Sequence, residues 1–333
     1  MYKKILLATT VATILFSGCS SKQYFSPEET SSLSASSMGD KIIHYSRDGA
    51  TLASGTILTK DEAVNLKLEQ GFYFINNNKQ AAITADLQGH CNIVTKEGTV
   101  ASAKFSQPLV AGTLIGQFLV YVLQNNSYGI YDFKQQTTVF SQEAHKAYAI
   151  DRRIANPLAV DKLVVIPTLD GKLVILDLST LKIAKEMYVS TESSLNNIIY
   201  LGQLNNTLIA ATPNKVLSLS SNGKMELDKA VSEVSINNGE LFVFAKDGKI
   251  LKLNEMLSVV SEKKFKFAHF SVGTVDANKV YALDKQGYLV VANRSLSKHK
   301  VYSTSEIEGF AFISGGKLYH DGDIIDLSQL SYE

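Results

Sequence analysis

The feature that most restricts this chain is a recurring pair of short apolar runs joined by a tight polar turn. It is clearest where residues 162–166 and 173–178, rich in Val, Ile and Leu, flank Asp170–Gly171. Gly in such a turn takes a positive φ at no steric cost. A third strand is predicted at 183–189, after the polar Ser179–Thr180 link. The unit recurs at 118–123 with 128–133, at 207–211 with 216–219 and at 241–245 with 250–253. It returns at 280–283 with 288–292 and at 317–319 with 323–327, and a degenerate copy pairs 72–75 with 81–87. The turns lie about 34 to 47 residues apart, the period of propellers and similar arrays, because one four-stranded sheet cannot bury both of its faces alone.

Helical signals are scarce, so the chain is predicted to be all-β. The expected fold is a β-propeller of four-stranded antiparallel blades. The hairpins count seven blades; eight is the alternative if Asp48–Gly49 marks a further hairpin. The last blade lacks an outer strand, and residues 41–46 are expected to supply it and so close the ring. Closure removes the open edges that invite aggregation.

The N-terminus reads differently. Lys3 and Lys4 precede an apolar run from 5 to 16, and the small residues Ser17 and Gly18 precede Cys19. That order is a secretory signal, and the run is shorter than the roughly 20 residues needed to span a bilayer. Phe16-Ser17-Gly18-Cys19 resembles the lipobox of bacterial lipoproteins, in which the cysteine is acylated and becomes the new N-terminus. The resemblance implies a signal peptide over 1–18 and lipidation of Cys19. Ser20 in place of Asp then points to the outer membrane of a Gram-negative host; the periplasmic face is the expected orientation, and a surface-facing one stays open. Eight of the twenty residues from 20 to 39 are Ser, and this stretch is expected to be a flexible tether. Residues 40–333 form the predicted propeller domain.

Composition bounds the rest. The formal charge is +1, and −1 once Lys3 and Lys4 are removed, so nothing draws nucleic acid to the surface as a whole. With Cys19 lipidated, Cys91 is alone and no disulfide framework exists; its alternating surroundings make it a small core residue. The six His are singletons, without the spacing of a zinc site, and the Asp-Gly turns lack the oxygen-rich spacing of Ca²⁺ loops. No Gly-x-Ser-x-Gly elbow or phosphate loop is present. No metal, cofactor or catalytic residue is expected, and the protein is read as no enzyme. The basic run Lys263, Lys264 and Lys266, interleaved with Phe265 and Phe267, reads as a strand with one solvated face. Tyr148, Arg152 and Arg153, in the long segment between two blades, are the candidate protein-contact residues.

The stretch from Gly171 to Lys182, with its Gly-x-apolar-x-apolar-Asp core, is similar to the repeat of quinoprotein-like propellers found in outer-membrane assembly lipoproteins of the BamB type. Residues 81–96 and 128–142 echo it. The family's blade-docking tryptophan has no counterpart, because the chain contains no Trp. The resemblance implies a scaffold that is tethered to the membrane by its lipid and binds an envelope protein, the β-barrel assembly machinery being the specific partner. The alternatives are a small-ligand-binding or enzymatic propeller using the central channel, and a surface-exposed adhesin.

Overall fold

A computed structural model describes residues 23–333 apart from 65, 148, 150 and 192–195. The expected signal peptide over 1–18, Cys19 and Tyr148 therefore lie outside the described residues. Among the described residues, strands assemble into eight sheets, each built on four antiparallel strands, and the fold is an eight-bladed β-propeller. Blade I holds Ile42–Tyr45, Gly49–Leu52, Ile57–Thr59 and Ala63–Val64; blade II runs from Tyr73–Asn77 out to Gly98–Lys104. Blade III begins with Leu109–Ile115, blade IV with Leu158–Val160, blade V with Tyr200–Leu204 and blade VI with Val231–Asn237. Blade VII begins with Phe270–Val275 and blade VIII with Ala311–Ser314. The count of seven is corrected to the alternative of eight: the Asp48–Gly49 hairpin belongs to blade I, whose strands are only two to four residues long.

Buried side chains gather into clusters that fall at the seams between neighbouring blades. One joins Val120, Tyr128 and Ile130 of blade III to Val164, Ile166 and Val174 of blade IV; another joins Phe242 and Phe244 of blade VI to Phe270, Val280 and Ala282 of blade VII. Phe74, Phe242 and Phe244 are fully buried, so Phe and β-branched residues fill the seams in a chain without tryptophan. Cys91 lies in the seam between blades II and III, where burial pushes its thiol up to about 12, as its core reading requires.

The Asp-Gly turns do more than reverse the chain. Gly248 has φ 82°, and its carbonyl accepts a 2.8 Å bond from the amide of Phe265, just beyond the outer strand. A Cβ at Gly248 would collide with the carbonyl oxygen of Phe265 and lie 2.9 Å from that of Ala268. Gly316 has φ 73° but open space around it. Gly248→Ala should therefore cost about 2–4 kcal/mol, and Gly316→Ala only the left-handed strain of about 1–2 kcal/mol. Urea denaturation of the two variants checks this, and equal losses would show that the close approach at Gly248 has no energetic weight.

The segment expected to be a free tether is part of the propeller from residue 23 onward. Phe25 is 7% exposed and packs edge-on against Phe265 and Tyr288, with ring centroids 6.0 and 5.5 Å apart. Ser31–Ser32 then adds a fifth, parallel strand to blade VII, in register with Tyr302 and Ser303. Ser36–Ser37 pairs antiparallel with Ile324 and Asp323, and Met38 donates to the carbonyl of Gly322 at 2.7 Å. The outer strand of blade VIII is thus Ser36–Ser37. Residues 41–46 do not take that place: Ile42–Tyr45 is the inner strand of blade I, because Ile42 is buried with Ala50, Leu58, Phe312 and Tyr319 in the seam with blade VIII.

Candidate functional site

Two elements reach into the channel that the inner strands enclose. The first is the hairpin tip of blade I, Ser46 to Asp48. The second is the connector between Thr137–Gln142, the outer strand of blade III, and Leu158–Val160, the inner strand of blade IV. Asn156 of this connector accepts from the amide of Gly112 at 2.9 Å and donates to Asp48 Oδ2 at 2.7 Å, which joins the two insertions. Lys60 lies 2.7 Å from Asp48 Oδ1. Burial works against the Asp48 carboxylate, but the charges of Lys60 and Arg47 outweigh it and hold the group below the ordinary range.

Glu233, on the inner strand of blade VI, is the meeting point. Its carboxylate pairs with Arg47, and its second oxygen lies 3.5 Å from Arg153 Nη1. Arg47 also donates to the carbonyl of Val234 at 3.0 Å and stands 5.0 Å over the ring of Tyr200 from blade V. Arg153 Nε donates to Asp151 Oδ1 at 2.9 Å, and its Nη1 donates to the carbonyl of Ser232. Asn197 Nδ2 holds the carbonyl of Asp151 at 3.0 Å. Burial pushes the Asp151 carboxyl up, but the hydrogen bond and charge of Arg153 win and keep it ionised below the usual carboxylate range. The Arg47 and Glu233 side chains are 6% and 10% exposed, so these charges are locked as structure and not displayed.

What remains open is a cavity of about 1210 Å³ lined chiefly by blades VI, VII and VIII, with Arg152, Lys246 and Lys285 on its wall. Among the described residues no three His, Cys, Asp or Glu side chains are arranged to hold a metal ion. The sequence-flagged pair separates here. Arg153 is turned inward to its carboxylates, whereas Arg152 is exposed, with its guanidinium 5.5 Å from the centroid of the Phe310 ring. Sequence reasoning missed Arg47, Asp151 and Glu233. The available signal was Glu233 itself, a carboxylate between Val231 and Val234 in the strand Val231–Asn237.

His44 borders this network. Its ring stacks on Tyr73 at 4.5 Å, and burial together with the nearby Arg152 charge lowers it to about 4. The folded state therefore favours the neutral imidazole. This contribution is complete above the ordinary value of 6.5 and is lost as pH falls from 6.5 toward about 4. Its full size is at most about 3 kcal/mol, by 1.36 kcal/mol per unit. His44→Gln should flatten that limb of the stability–pH curve in thermal melts, and parallel curves for the two proteins would contradict the assignment.

The fold and the site define a class: an eight-bladed propeller whose channel is part-filled by its own ion-paired insertions. No family model matches the chain. It is 24% identical over 380 aligned positions to the plasminogen-binding protein PgbB of Helicobacter pylori strain J99, spanning 99% of this chain and 70% of that protein. The PgbB protein of strain 26695 matches with the same identity and coverage. Among solved structures, BamB from Moraxella catarrhalis superposes with a TM-score of 0.66 at 15% identity, covering 89% of this chain and 98% of that one. The C-terminal WD40 domain of Sif2 gives 0.65 at 10% identity, with the same coverage. These structural likenesses establish the propeller fold.

Proposed function

We propose that this protein is a non-enzymatic, protein-binding propeller held at the cell envelope by a lipid on Cys19. The observation that carries this reading is the match over 99% of the chain to proteins named for binding plasminogen. The geometry supports binding over channel chemistry. The charged groups Arg47, Asp151, Arg153 and Glu233 are engaged with one another, which leaves the loops, the outer edges and the cavity mouth with Arg152, Lys246 and Lys285 as the surfaces for a partner. The proposed partner is plasminogen or a similar extracellular protein, met at the cell surface. A second reading places the propeller on the periplasmic face of the outer membrane, in β-barrel assembly; the likeness to BamB supports it.

Surface plasmon resonance separates the two. Residues 23–333, immobilised, should bind plasminogen saturably with a Kd of about 10 μM or tighter, equivalent to roughly 7 kcal/mol. No binding of plasminogen, with saturable binding of purified barrel-assembly components, would overturn the first reading in favour of the second.

A further inference from the structure

If Cys19 carries the lipid, as proposed above, its covalent path to Gln23 is four residues, a reach of about 14 Å at full extension. The path cannot lengthen by unspooling, because Phe25 is wedged between Phe265 and Tyr288 at the seam of blades VI and VII. The root of the anchor is thereby fixed to one edge of the ring.

That edge has a distinctive surface. The outer strand of blade VI, Val259–Lys264, and the turn after it carry Lys263, Lys264 and Lys266, and Phe267 projects beside them, 42% exposed. Lys266 Nζ stands 4.9 Å over the Phe267 ring. Val259 and Val260 are more than half exposed, as is Tyr24 next to the wedge. The neighbouring acids are already engaged: Glu262 pairs with Lys249 at 2.8 Å, and Asp247 pairs with Lys229 at 2.8 Å and with Lys264 at 3.6 Å, so Lys263 and Lys266 are the cations the patch offers. Basic residues interleaved with exposed aromatic and aliphatic side chains match a lipid surface, where cations meet anionic headgroups and rings settle at the interface.

We infer that the edge of blades VI and VII faces the membrane, with Lys263, Lys266 and Phe267 in the headgroup layer. The propeller then stands with this edge on the bilayer and blades II and III, diametrically opposite in the ring of eight, farthest from it. The occupant of the patch is the membrane that bears the chain's own lipid.

The chain has no Trp, so single reporters are unambiguous. Phe267→Trp and Tyr24→Trp report on the edge, and Val100→Trp, on the exposed outer strand of blade II, is the control. The full lipidated proteins are reconstituted into vesicles of phosphatidylethanolamine and phosphatidylglycerol with brominated acyl chains. Quenching at 267 and 24 should exceed that at 100 by about threefold or more, and Lys263→Gln with Lys266→Gln should cut it by roughly half. Protein that floats with the vesicles but is quenched equally at all three positions, or only at 100, overturns the orientation while leaving the anchor intact. Protein that does not float overturns the anchor, and the orientation with it.

Discussion

A chain that begins at residue 40 should melt on the order of 10 °C below one that begins at residue 23, and should self-associate. The arithmetic starts with Phe25: removing a buried Phe costs about 3–5 kcal/mol, and its two edge-on ring contacts add about 0.5–1.5 kcal/mol each. For a body this large, each kcal/mol shifts Tm by roughly 2–4 °C or somewhat less. The self-association follows from the last blade. Without Ser36–Ser37 the backbone of Asp323–Asp326 becomes an open edge, ready to pair with another chain. A chain beginning at residue 31 keeps both short strands and loses only Phe25, so its Tm should fall in between. Equal melting temperatures for all three would show that the strap formed by residues 23–39 does not close the ring.

Glu233→Ala should be the most damaging single substitution in the channel. It leaves Arg47, 6% exposed, without its carboxylate, and removes one of the two carboxylates facing Arg153. Breaking a buried pair from one side costs about 3–5 kcal/mol, because the remaining charge is uncompensated in a low dielectric. Removing both charges avoids that penalty: Arg47→Met combined with Glu233→Leu should stay within about 1–2 kcal/mol of the parent. Arg153 keeps Asp151 in either case. Urea denaturation decides the matter, and a loss under about 1 kcal/mol for Glu233→Ala would show that water already screens the network.

What was legible in the sequence follows from how each element is stabilised. The middle hairpins, such as Leu163–Pro167 with Lys172–Asp177, announce themselves because both strands are buried on two faces and their turn needs Gly. Blade I is hard to read because its middle turn, residues 53–56, joins strands of four and three residues and carries little apolar signal. The degenerate hairpin at 72–87 is real, but it joins the first and second strands of its blade, whereas turns such as Asp170–Gly171 and Asp247–Gly248 join the second and third. Ile83 does pair with Ile75's neighbour Asn76, but the Asp-Gly-like turn of blade II is Asp86–Gly89, where Asp86 accepts from the amides of Gln88 and His90.

The strap was invisible for a different reason. Serine pairs through its backbone, so Ser31–Ser32 and Ser36–Ser37 leave no hydrophobic pattern, and composition alone reads them as tether. Phe25, with Leu33 and Met38 further along the serine-rich stretch, was the clue. Arg153 illustrates the limit for sites. Its type and position suggested an exposed contact, but its fate was set by Glu233, eighty residues away in sequence and reachable only once the ring is closed.

The lipid proposed on Cys19 is open to a direct test. Cells expressing the full chain, fed an alkyne-bearing fatty-acid analogue, should yield a labelled membrane-bound protein, and Cys19→Ser should abolish the label, since Cys91 is buried. Label persisting on the Cys19→Ser protein, or none on the parent, would contradict it.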